Sequence, residues 1–178
     1  PYNTSSLQQA CSSGLKMSPK ATMLSCQKLY EAGYITYMRT DSNSYSEEFI
    51  VKANEFIHKT YGEEFILPES VKLTETTHCE PTAAHEAIRP TDICIEAAKK
   101  SESIGEKEMK VYSLIRRNTL ESCMAPANCI AVTASIRAPQ EHEYKYSAEN
   151  IIFAGWKIVG GHDKPDSSFS FIQLLKMG

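Results

Sequence analysis

Tyr37 and Arg39, two residues apart in Gly33-Tyr34-Ile35-Thr36-Tyr37-Met38-Arg39-Thr40-Asp41-Ser42, are the side chains with the most suggestive chemistry. A phenol is a nucleophile once ionised, and a planar guanidinium grips phosphate oxygens through two parallel hydrogen bonds. The pair suits attack on a phosphodiester, with Tyr37 as nucleophile and Arg39 holding the phosphate and favouring the phenolate. A free tyrosine titrates near ~10, so ionising it at neutral pH costs roughly 4 kcal/mol. A nearby cation supplies part of that, and a metal or general base must supply the rest. The plainer reading is an aromatic packed on a sheet beside a surface charge, and for an arbitrary Tyr-x-Arg that reading is favoured.

The elements around the pair follow from local pattern. Gly33 reads as a helix stop, and Tyr34 to Tyr37 favour extended backbone, so the string is expected to be a strand with Tyr37 and Arg39 on one side and Thr36, Met38 and Thr40 on the other. Upstream, Thr4 or Ser5 is expected to cap a first helix that ends before Gly14, and Ser18-Pro19 opens a second that runs to about Ala32. Two helices and a turn before a strand suggest a helix-turn-helix with a wing, a DNA-binding arrangement. Ser44 to Glu47 reads as a capping box for a third helix burying Phe49, Ala53 and Ile57, with His58 on its surface. Residues 67–81 read as loop. Met109, Tyr112, Ile115 and Leu120 mark a long amphipathic helix ending before Pro126, with Arg116 and Arg117 on its solvated face. Period-2 stretches at 130–136, 143–148, 151–153 and 169–172 then read as strands.

Ile35 to Ser42, eight contiguous residues, resembles the active-site signature of type IA DNA topoisomerases in the form used by bacterial-type topoisomerase I. Topoisomerase III-type relatives usually carry proline where Met38 stands. Three other stretches resemble the same family in order: Pro1 to Gln9 ("P-F-T-T-S-T-L-Q-Q"), Gln27 to Tyr37 ("Q-x-L-Y-E-x-G-x-I-T-Y") and Ala84 to Pro90 ("A-H-E-A-I-R-P"). Tyr112 to Ala127 and Phe153 to Trp156 resemble it more loosely. The resemblance implies that Tyr37 attacks DNA and becomes linked to a 5′-phosphate, that Arg39 positions that phosphate, and that His85 lies beside both. An imidazole there can donate to phosphate or relay a proton. It further implies DNA contacts from Thr4, Ser5 and Gln8 at the first helix, and from Gln27 and Glu31 on the second. Thr36, Thr40 and Asp41 of the string and Arg89 complete the implied contacts, with Glu86 orienting its neighbours.

The implied fold class is α+β: a helical, winged-helix-like tyrosine domain over residues 1–127, followed by part of an antiparallel β arch domain over 128–178. The family's magnesium site lies in an N-terminal Toprim domain that nothing here matches, so no metal ligand is expected in this stretch, and these residues alone are expected to be inactive. The implied partners are DNA, chiefly a single-stranded segment, and the other domains of a longer parent chain.

Composition neither demands nor forbids this. A net charge of −3 argues against a blanket electrostatic nucleic-acid binder, although Lys16, Lys20, Lys28 and Arg39 outnumber Glu31 and Asp41 over the first 45 residues. Six cysteines with no Cys-x-x-Cys spacing read as reduced, buried thiols in an intracellular protein rather than as a zinc site, and the resemblance implies a cytoplasmic, nucleoid-associated one. No apolar run is long enough to cross a membrane, and the opening Pro1 suggests a piece of a longer protein. A non-catalytic winged-helix DNA-binding module and a protein-interaction domain remain the alternatives.

Overall fold

In the computed structural model the described residues are 1–67, 86–161, 167–172 and 174. His78, Cys79, His85 and the expected loop from Pro68 to Pro81 lie outside them. The chain divides into two compact units, Pro1–Met124 and Ala125–Gly178. With helices in the first and an antiparallel pair in the second, it is α+β.

The first unit holds α1 (Thr4–Leu15), α2 (Pro19–Glu31), α3 (Glu47–Thr60) and α4 (Glu106–Cys123). Ser18 caps α2 through its side chain to the Ala21 N–H, and Pro19 opens the helix. α1 starts differently from expectation. Its cap is Asn3, in a reciprocal box with Ser6, rather than Thr4 or Ser5, and Gly14 lies inside the helix, which ends at Lys16 in the left-handed region. α3 is capped by Ser46 without a side-chain bond, so the expected box from Ser44 does not form. A carboxylate from another segment takes that place, as described below.

The core of this unit joins Leu7 and Cys11 of α1, Cys26 and Leu29 of α2, and Val111, Tyr112 and Ile115 of α4 to Ile35, Met38 and Ile88. One charged group is buried in it. Glu108 of α4 accepts from Ser25 (3.0 Å) and Lys28 (3.2 Å) of α2 and from the Gly105 N–H (3.0 Å). Burial pushes its carboxyl up, but these partners and its own N–H outweigh that and hold it below the ordinary carboxylate value. Arg116 is not on a solvated face: its Nε donates to the Ile93 carbonyl (3.1 Å) and its guanidinium lies 5.4 Å from the Phe56 ring centroid. Arg117, more exposed, pairs with Glu121 at 2.6 Å.

In the second unit β1 (Asn128–Arg137) pairs antiparallel with β2 (Glu143–Phe153), with a register shift between Asn128 and Cys129. β2 is continuous: Glu149 and Asn150 interrupt the apolar alternation but keep the ladder through Ala131 and Ile130. The expected strand at 169–172 is instead a short helix, α5 (Ser167–Ile172), whose Phe171 packs edge-on against Tyr146 at 5.2 Å. Four residues of Phe-Ser-Phe-Ile are too few to separate a period of 2 from one of 3.6. Among the described residues no helix is long and apolar enough to cross a membrane.

Candidate active site

The string carrying Tyr37 is extended but is not a strand. Ile35 makes one isolated bridge, to Pro90, and no ladder continues from it. Its neighbours explain why. Among the described residues, on one side runs only the short segment 86–91, and on the other sits the first turn of α1, which has no strand edge to offer. Local alternation survives over three residues: Met38 is buried, while Tyr37 and Arg39 on either side of it are exposed.

Side-chain hydroxyls replace the missing ladder. Thr4 donates to the carbonyls of Met38 (2.8 Å) and Thr40 (3.0 Å) and accepts from the Thr40 N–H (2.9 Å). The Thr4 N–H, a donor at a helix start with no partner inside the helix, bonds the Thr40 carbonyl at 3.0 Å. On the other side Thr36 donates to the Ala87 carbonyl (2.9 Å) and accepts from the Arg89 N–H (3.0 Å). The hydroxyl of Thr40 accepts from the Ser42 N–H at 3.1 Å. All three threonine hydroxyls expected at the DNA thus have protein partners.

Arg89 is also engaged. Its guanidinium forks onto Glu86 (2.7 and 2.8 Å), donates to the Pro90 carbonyl (2.9 Å) and stacks 4.1 Å from the Phe49 centroid. Glu86 additionally accepts from the Ser46 N–H (2.8 Å), which ties this segment to the start of α3. Burial raises the Glu86 carboxyl, while Arg89 and Ser46 lower it more, leaving it below the ordinary value. On α2, Gln27 donates to Glu31 at 2.7 Å across one exposed turn.

By contrast, the phenol oxygen of Tyr37 and the guanidinium of Arg39 have no hydrogen-bond or ion-pair partner among the described residues, nor do the side chains of Ser5, Gln8 and Asp41. The Tyr37 ring is 51% exposed and rests edge-to-face on Tyr30 of α2, centroids 5.3 Å apart. Two other phenols, Tyr45 and Tyr112, are poor nucleophile candidates. Burial pushes Tyr45 and Tyr112 up to about 12, and their hydroxyls bond Ser122 (3.1 Å) and the Ile95 carbonyl (2.7 Å). The sequence reads Tyr30 with Leu29 as part of the apolar side of α2, not as a site residue. The available signal was an aromatic seven residues before Tyr37 with a glycine turn between, which brings the end of α2 back under the string.

The residues from 1 to 177 match the family model described as DNA topoisomerase. The chain belongs to the DNA topoisomerase family. DNA topoisomerase 1 of Helicobacter pylori strain J99 is 38% identical over 173 residues, covering 92% of this chain and 23% of the relative. That of Buchnera aphidicola is 38% identical over 178 residues, covering 100% and 20%. Full-length topoisomerase I from Thermotoga maritima superposes with a TM-score of 0.76 at 29% identity, covering 94% of this chain and 28% of that one. These relatives put the chain in the bacterial topoisomerase I branch of the type IA group. It spans about a fifth of the length of the curated topoisomerases it matches. Within this topoisomerase chain, Tyr37 and Arg39 are exposed and unpartnered among the described residues, whereas the hydroxyls of Thr4, Thr36 and Thr40 and the guanidinium of Arg89 are bonded to protein.

Proposed function

We propose that this chain is the tyrosine-bearing part of an enzyme that cuts and rejoins one DNA strand. The carrying observation is that Tyr37 and Arg39 are both exposed without polar partners among the described residues, on backbone tied down on either side. The phenol of Tyr37 loses its proton, its oxygen attacks a phosphorus in a single-stranded segment, and the bond from that phosphorus to the 3′-oxygen breaks. The 3′-oxygen leaves as a hydroxyl, and the 5′-phosphate stays on Tyr37. Arg39 neutralises the charge that gathers on the phosphate oxygens. His85, by its position in the signature, hands the proton on. The reverse attack by the 3′-hydroxyl reseals the strand, so strand passage relaxes negative supercoils without ATP. Ser5, Gln8 and Asp41 and the Gln27–Glu31 pair line the path of the strand.

Among the described residues no three of His, Cys, Asp and Glu come together as a metal site. Those residues do not fit magnesium. We place the ion, like the partner domains, in the rest of a longer protein, and these 178 residues alone are expected not to relax plasmid. Thiols at Cys11, Cys26, Cys94 and Cys129 outside any disulfide support an intracellular, reducing setting, and the cytoplasmic, nucleoid-associated location is proposed from the family.

The test is a covalent adduct. A full-length enzyme carrying these residues is mixed with labelled single-stranded DNA and magnesium, then denatured. Label is expected on wild type and on Tyr34→Phe, and none on Tyr37→Phe. An adduct that survives Tyr37→Phe, or none in any variant, would replace this reading with a module that only binds DNA.

A further inference from the structure

The backbone that carries Tyr37 is held by two threonine hydroxyls together with two backbone bonds, from the Thr36 N–H to the Arg89 carbonyl (2.9 Å) and from the Thr4 N–H to the Thr40 carbonyl (3.0 Å). The residue before Tyr37 is tied by the Thr36 hydroxyl to the Ala87 carbonyl and the Arg89 N–H. The residues after it are tied by the Thr4 hydroxyl to the Met38 carbonyl and to both backbone groups of Thr40. A hydroxyl has one proton and two acceptor sites. Thr4 therefore shares its proton between two carbonyls while accepting from an N–H, and Thr36 gives one bond and takes one. The anchors lie far away in sequence, at the first turn of α1 and in the segment 87–89, so the two threonines fix the string against two separate parts of the first unit. Both side chains are only partly exposed, and their oxygens face the protein.

We propose that Thr4 and Thr36 are positioning residues that aim Tyr37 through its own backbone, rather than contacts to DNA. The proposal rests on the reading of Tyr37 as the nucleophile. Attack needs the phenol oxygen about 3–3.5 Å from phosphorus and in line, and a displacement of about 1 Å in such a geometry costs about a hundredfold in rate. Among the described residues the string has one isolated bridge and those two backbone bonds, and the two hydroxyls supply the remaining hydrogen bonds that fix it on either side of Tyr37.

Thr→Val keeps the shape and removes only the hydroxyl, and Thr→Ser restores it. In the full-length enzyme, adduct formation on saturating single-stranded DNA is followed by rapid quench, with DNA affinity measured separately. Thr4→Val and Thr36→Val are expected to slow adduct formation about tenfold to a hundredfold while DNA affinity stays within about twofold. Thr4→Ser and Thr36→Ser should cleave within about twofold of wild type. Thr91→Val is the control, since that hydroxyl also ties the chain before the string, to the Gly33 carbonyl at 2.6 Å, but away from Tyr37. It should cleave as wild type does. Should valine disturb the fold, seen as lost ellipticity at 222 nm, Thr4→Ala and Thr36→Ala carry the same comparison. Val or Ala variants that fold and cleave at the wild-type rate would overturn the proposal. So would rate and affinity falling together: restored by serine, that is what a DNA contact through the hydroxyl would give, and not restored, what a purely structural role would give. Each of those results needs a wild type that forms adduct, so it leaves the cleavage reading standing. A wild type without adduct removes both.

Discussion

Arg89→Lys separates a structural guanidinium from a DNA-facing one. Arg89 makes two charge-assisted bonds to Glu86, one to the Pro90 carbonyl and a stacked contact with Phe49, and the two charged side chains are only 14% and 24% exposed. Lysine retains the charge and one bond to the carboxylate. It loses the second fork bond, the bond to Pro90 and the planar face against Phe49. A hydrogen bond to a charged group contributes about 1.5–3 kcal/mol and a cation over a ring about 0.5–1, of which solvent at this half-open site returns part. The net expectation is a loss of about 2 kcal/mol. With a urea slope of about 1.5 kcal/mol per molar, that lowers the unfolding midpoint by about 1.3 M. Ellipticity at 222 nm reads the first unit, which holds the four long helices, while the lone Trp156 reads the second by fluorescence and serves as an internal control. A 222 nm midpoint within about 0.3 M of wild type would refute the argument, because that shift corresponds to only about 0.5 kcal/mol. If stability were unchanged while the salt dependence of DNA binding flattened, Arg89 would be a phosphate ligand in the working enzyme.

Glu108→Gln tests the buried carboxylate between α2 and α4. Its native pKa is lowered, so its contribution is full above the ordinary value of 4.5 and drains as pH falls through the native value. The variant should be less stable than wild type by about 1–2 kcal/mol at pH 7, with the gap closing as urea melts are taken down to pH 3, and a gap independent of pH would contradict this. Gly155→Ala tests the second unit. Gly155 has φ +51°, and a Cβ there would lie 2.5 Å from the Ala125 carbonyl oxygen, so a loss of at least about 2 kcal/mol should appear in the Trp156 transition and leave the 222 nm transition in place.

What could be read from the sequence, and what could not, divides along a physical line. Ser18-Pro19, the apolar stripes of α3 and α4 and the hairpin are decided by neighbours in the chain, and local pattern finds them. The misses are positions where a distant segment decides. Asn3, Thr4 and Ser5 are all competent caps, and Asn3 takes the role because the Thr4 hydroxyl is drawn to Thr40. Ser46 caps α3 without its side chain because its N–H, a donor outside the helix ladder, meets Glu86 forty residues on in the sequence. The string is not a strand because, among the described residues, no strand lies beside it.

The same line runs through the candidate site. Residue types alone make Thr4, Thr36, Thr40, Arg39 and Arg89 equal candidates to hold phosphate. The structure separates them by what each polar end already touches. A donor bonded to a backbone carbonyl must break that bond before it serves a ligand, whereas an exposed one exchanges only water. Arg39 and the Tyr37 phenol are of the second kind, and Thr4, Thr36 and Arg89 are of the first. This division also accounts for an irregular string at the centre of the unit. A regular strand would fix the backbone through N–H and carbonyl groups whose spacing the sheet dictates, while two threonines fix it at points chosen on either side of Tyr37. Such a holder can be released one hydroxyl at a time, which is why the valine and serine variants, rather than truncations, are the informative perturbations.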